Sequence, residues 1–188
     1  MSRMADRREA ICDAAARMFI RYGVARTGMS DIARDAGIAR QTLYNIFPNK
    51  DAVLLATIRL FMDRALKETL SDLRGRTDLR EQLGIIFEHL VRRPYRLVHA
   101  SPNAEDIIEG LGAESRAVIA ECRAGFRDIV ENLLKPSKAR IAKSGMKVQR
   151  LADAVITFAY AAKYEAKDQA HLDELLQSLT AMVVRSVA

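Results

Sequence analysis

The chain has 188 residues, of which 49% are apolar and 29% charged, with a formal net charge of +6. That balance excludes a disordered protein and allows one domain, or two small ones, with a buried core. No apolar run approaches the ~20 residues a membrane-spanning helix needs. The start, Met1 to Glu9, lacks the apolar stretch of a secretory signal, so a cytoplasmic location is expected.

Cys12 and Cys122 lie far apart, each inside an apolar helical pattern, which argues for core residues rather than a disulfide framework or a metal site. Residues 1–51 hold nine Lys/Arg against six Asp/Glu, so half of the net positive charge falls in little more than a quarter of the chain. A nucleic-acid-binding segment wants such a concentration.

In chain order, a first helix is expected from Asp6 to Tyr22, with Ile11, Ala15, Met18, Phe19 and Tyr22 on one face. Gly23 ends it. Two short helices around a tight turn follow between Ser30 and Lys50. Ile32 and Ala33 give the first its apolar side, Gly37 stops it, and Leu43, Ile46 and Phe47 give the second its buried side before Pro48. Arg40, Gln41, Thr42, Tyr44 and Asn45 are left facing outward, the pattern of a helix-turn-helix with its recognition helix. Arg40 has the donors for a guanine edge, Gln41 the amide for adenine, and Thr42 a methyl and hydroxyl for thymine or phosphate. Tyr44 and Lys50 stand where phosphate contacts would fix register.

Asn49 is expected to cap a long helix on Leu54, Ile58, Phe61 and Ala65, positioned to carry movement to the recognition unit. Asp78 with Glu81 reads as a capping box for a helix on Leu83, Ile86, Phe87 and Leu90 that Pro94 ends. Short helices are expected at Tyr95–His99 and Asn103–Leu111, then a longer one at Ser115–Leu134 on Val118, Cys122, Phe126 and Ile129. The final two helices carry Leu151, Val155, Phe158 and Ala162 on one stripe, and Leu172, Leu175, Leu179 and Val183 on the other. Such faces suit docking on a second copy as a four-helix bundle. No strand signal survives, and the fold class is all-α.

The sequence has no P-loop, dinucleotide fingerprint, Gly-x-Ser-x-Gly elbow or His-Glu-x-x-His. His89, His99 and His171 sit on separate predicted helices. No enzyme, cofactor or metal is expected.

Gly23, Thr27, Asp31-Ile32-Ala33, Ala36-Gly37-Ile38, Thr42-Leu43-Tyr44, Phe47-Pro48 and Lys50 together resemble the N-terminal domain of the TetR family of transcriptional regulators, over about residues 7–55. The resemblance implies a helix-turn-helix DNA-binding domain over residues 1–50 and a helical ligand-binding and dimerisation domain over residues 51–188. It implies DNA contacts from Thr27, Ser30, Arg40, Gln41, Thr42, Tyr44, Asn45 and Lys50. It also implies a homodimer through the last two helices, on a palindromic operator of double-stranded DNA. A repressor released by a small ligand is the expected role, the ligand hydrophobic or amphipathic, with Phe87, Tyr95, His99 and Phe126 as candidate pocket residues. The sequence departs from the pattern at Ala39 and Gly28, where Ser or Thr is usual, and at Ile46, where Tyr or His is usual. The alternative reading is a helical ligand- or protein-binding module with weakened DNA binding.

Overall fold

A computed structural model describes residues 3–103, 106 and 112–187, and all regular structure among them is helical. The helices are α1 (Arg3–Tyr22), α2 (Met29–Asp35), α3 (Arg40–Ile46), α4 (Lys50–Asp72), α5 (Leu79–Phe87), α6 (Arg93–His99), α7 (Ala113–Leu134), α8 (Lys138–Lys143), α9 (Val148–Glu165) and α10 (Gln169–Val187). The helix expected at Asn103–Leu111 falls largely outside the described residues.

The chain divides into two units. The first comprises Met1–Asp63 with Leu97–Glu121, the second Arg64–Arg96 with Cys122–Ala188. The first compact unit therefore extends into α4, as far as Asp63. Val53 and Leu54, from the first turns of α4, are buried in the same core as Ile11, Phe19, Ile32, Leu43 and Phe47. That shared burial ties the start of α4 to the helix-turn-helix.

In the first unit, α1 buries Ile11, Cys12, Ala15 and Phe19, whereas Tyr22 in its last turn is turned outward. Gly23 then takes φ +85°, a left-handed conformation that glycine adopts without a Cβ clash. The carbonyls that end α1 are satisfied from a remote segment. Ser101 Oγ donates to Ile20 O, and Asn103 Nδ2 donates to Arg21 O at 2.9 Å. Asp106 accepts from Ala25 N at 3.2 Å, and a Cβ at Gly23 would sit 2.1 Å from its carboxylate oxygen.

In the second unit, Asp78 caps α5 by accepting from Glu81 N at 2.8 Å, as expected. Pro94 does not end the following helix. A π-helical segment, Glu88–Arg92, runs directly into α6, so Pro94 occupies that helix's first turn, where a missing N–H is tolerated. Phe87, Val91, Tyr95, Phe126, Val155 and Leu172 are buried here. The π segment also buries His89, whose Nε2 lies 2.8 Å from Asp72 on α4. Helix α10 returns along α9 after a three-residue connection and packs against it.

Candidate nucleic-acid interface

The turn between α2 and α3 is set by Gly37, at φ +65°, and closed by a hydrogen bond of 3.0 Å from Ile38 N to Ala33 O. Leu43 is fully buried, which pins one side of α3 to the core and leaves Arg40, Gln41, Tyr44 and Asn45 exposed on the other. Thr42 is half-buried beside them. No acidic residue occurs between Arg40 and Ile46 to repel a phosphate backbone.

The outward side chains are already paired along the helix. Gln41 Nε2 donates to Asn45 Oδ1 at 3.1 Å, and Arg40 reaches Tyr44 Oη at 3.4 Å with its guanidinium 5.4 Å from the ring centre. These i,i+4 contacts restrict rotamers before any ligand arrives, reducing the entropy cost of binding. Asn45 and Tyr44 thereby act as supports for the side chains of Gln41 and Arg40.

Several braces hold this surface in place. Arg17 on α1 pairs with Asp35 on α2 at 2.7 Å. Arg8 donates to Ile46 O at 3.3 Å while its guanidinium stacks 4.4 Å from the Phe47 ring centre. Both arginines thus brace the motif. Ile46 is half-buried against the core, away from a backbone-contacting role.

Two residues expected at the DNA surface serve the scaffold instead. Thr27 is 3% exposed, and its hydroxyl donates to Gly23 O at 2.6 Å. Lys50 directs its ammonium to Val24 O at 2.7 Å and Ala25 O at 3.2 Å. Both satisfy carbonyls in the connector after α1, which must turn sharply and has no helical partners of its own. Ser30 is exposed in the first turn of α2. Ala39 occupies the N-cap of α3 with no side-chain hydrogen bond, leaving donors of the first turn directed outward. Gly28 caps α2 only through its own N–H, which donates to Asp31 at 3.0 Å.

The residues expected elsewhere are dispersed. Phe87, Tyr95 and Phe126 are buried in the second unit, whereas His99 is an exposed residue of the first. Of the eight residues expected at a dimer face, Leu151, Val155, Ala162, Leu172, Leu179 and Val183 are buried within the protomer. Leu175 is half-buried, and Phe158 is exposed. Their helical stripes therefore complete the protomer core. Ala154, Phe158, Ala161, Ser178, Ala181 and Met182 are among the small or apolar residues left exposed on α9 and α10.

A recognition helix presented on a three-helix platform, followed by a helical bundle, defines the class of helix-turn-helix regulators. Residues 11–57, a quarter of the chain, match the family model described as bacterial regulatory proteins, tetR family. It is 35% identical over 80 residues to the HTH-type transcriptional regulator BetI of Agrobacterium fabrum, covering 43% of this chain and 39% of that protein. The chain thus spans about two fifths of that curated relative's length. In fold it is similar to the fatty acid degradation regulator FadR of Bacillus halodurans, with a TM-score of 0.69, 21% identity and coverage of 92% of this chain and 94% of that one. It is also similar to FadR of Bacillus subtilis in complex with stearoyl-CoA, with a TM-score of 0.67, 21% identity and coverage of 96% and 99%.

Among the described residues, no group of three or more His, Cys, Asp or Glu is arranged to hold a metal ion, and no helix is long and apolar enough to cross a membrane.

Proposed function

We propose that the protein is a cytoplasmic transcriptional repressor that binds a palindromic operator as a homodimer and is released by a small ligand. The observation that carries this reading is α3: an acid-free helix, braced from α1, exposing Arg40, Gln41, Tyr44 and Asn45. Two such helices, one from each protomer, enter successive major grooves about 34 Å apart. Arg40 and Gln41 read base edges, while Tyr44 and the open N-terminus of α3 meet phosphates.

The proposed dimer face is the exposed side of α9 and α10. Phe158 and Met182 supply its apolar anchors, and Ala154, Ala161, Ser178 and Ala181 allow close approach. The second unit takes the ligand. The stearoyl-CoA complex of a fold relative supports a ligand with an apolar part, and release follows if the ligand favours a dimer whose recognition helices are wrongly spaced. The protein acts by binding, with no catalytic step.

Fluorescence anisotropy with a palindromic fragment from upstream of the protein's own coding region, against a scrambled duplex, tests the reading. Preference for the palindrome and a steep loss of affinity with salt are expected. Equal affinity for both duplexes would refute it and favour the module with weakened DNA binding.

A further inference from the structure

The second unit contains two neighbouring cations, Arg123 and Lys163, that no carboxylate among the described residues pairs with. Arg123 on α7 places its guanidinium 4.2 Å from the ring centre of Tyr160 on α9, and the ammonium of Lys163 lies 4.0 Å from the same centre. Lys163 is also 5.0 Å from the ring centre of Tyr164, and the two tyrosine hydroxyls are 2.8 Å apart. Arg123 Nε is buried without a hydrogen-bond acceptor. Among the described residues, neither cation forms an ion pair with Asp or Glu, although Arg127, one turn along α7 from Arg123, does so with Asp153 on α9.

Two like charges sharing one aromatic ring repel each other, and ring faces offset only part of the cost of withdrawing them from water. Burial first, and the charge of Arg123 second, lower the Lys163 pKa to about 8. A structural cation cluster ordinarily contains its own counter-charge. This one instead presents a planar fork and a point charge, the pair of donors that grips a compact oxyanion. Tyr164, which borders the cluster, is 45% exposed.

We propose that Arg123 and Lys163, framed by Tyr160 and Tyr164, form a binding site for the oxyanion end of a small ligand, a carboxylate or a phosphate. The inference deepens the proposed ligand response of the second unit by assigning the charge of the ligand. Arg123 takes two oxygens through its fork, Lys163 adds a second positive charge, and whichever tyrosine hydroxyl accepts in the Tyr160–Tyr164 hydrogen bond keeps its own proton to donate. Any apolar remainder of the ligand continues away from the charged end, so the ligand is amphipathic and acidic.

Full-length protein free of DNA is titrated calorimetrically with octanoate in one arm and inorganic phosphate in the other, at constant ionic strength. Saturable binding in either arm, weakened at least tenfold by Lys163→Met and by Arg123→Met and largely kept by Lys163→Arg, is expected. Binding of octanoate alone assigns a carboxylate ligand, and binding of phosphate alone a phosphoryl one. On the unmutated protein, acetic anhydride labelling of Lys163 slows when the bound anion is present, while labelling of surface lysines does not. No binding in either arm, or equal binding by the parent and both Met variants, overturns the proposal. So does protection of Lys163 that follows protein concentration rather than the anion, because a second copy would then be covering it. Since no operator is involved, failure here is separate from failure of DNA binding.

Discussion

Replacing Lys163 by methionine isolates the energetic consequence of the unneutralised cluster. Methionine keeps most of the stem's volume and removes the charge. The Lys163 pKa falls from 10.5 to about 8 in the folded protein, chiefly through burial and then through Arg123. At 1.36 kcal/mol per unit, that shift corresponds to a penalty of about 3 kcal/mol on the protonated folded state. Below pH 8 both folded and unfolded states carry the proton, and the penalty is fully present. Between about pH 8 and 10.5 only the unfolded state retains it, so stability increases with pH across that window. Urea denaturation followed by circular dichroism at pH 7, 9 and 10.5, in buffers free of carboxylate and phosphate, compares the two proteins. Lys163→Met is expected to be the more stable at pH 7, by up to about 3 kcal/mol before relaxation, and the difference shrinks toward zero by pH 10.5. Parallel stability curves across the range would refute the reasoning, as they would mean the ammonium is fully solvated.

Arg40→Ala is expected to weaken operator binding by about 1–3 kcal/mol and relax preference at one base pair, whereas Tyr44→Ala weakens all duplexes alike; anisotropy on a set of single-base operator variants separates them. Ala39→Ser adds the absent cap at a backbone already extended (φ −65°, ψ 142°), so thermal or urea unfolding should show a gain of about 1 kcal/mol. Gly23→Ala should lose roughly 1–2 kcal/mol from the positive φ alone, and more as its Cβ displaces Asp106; urea unfolding reads the loss. Phe158→Glu together with Met182→Glu places charge on the exposed face of α9 and α10, and light scattering should find a monomer with unchanged helicity.

Much of the first unit was legible because its signals are local. Gly23, Gly37 and Pro48 punctuate the chain, Leu43 and Phe47 mark a buried side, and the polar run from Arg40 to Asn45 is left facing out. What escaped was set by distant partners. Thr27 and Lys50 have suitable side chains for DNA contact, but carbonyls of the turn after α1 claim them. A 3.6-residue period reports burial without saying what covers it, so the stripes on α9 and α10 suit a second copy as well as a core; Val155 and Leu172 are covered by their own protomer. Pro94 has the chemistry of a terminator, yet the π segment before it places it in a first turn. The site of Arg123 and Lys163 joins two helices well separated in sequence, and the missing counter-charge is visible only once both are packed.

Asp106 and its neighbours have a bearing on how the protein is made. The helix-turn-helix unit draws on Leu97–Glu121 for the groups that close the end of α1, and 33 residues of the other unit, Arg64–Arg96, are synthesised in between. At roughly 5–20 residues per second, several seconds separate the appearance of Asp63 on the ribosome from that of Glu121. During that interval Ala25 N and Arg21 O lack the side-chain partners that Asp106 and Asn103 later give them. The end of α1 therefore reaches its final form late, after the nascent chain has passed through the segment that seals it.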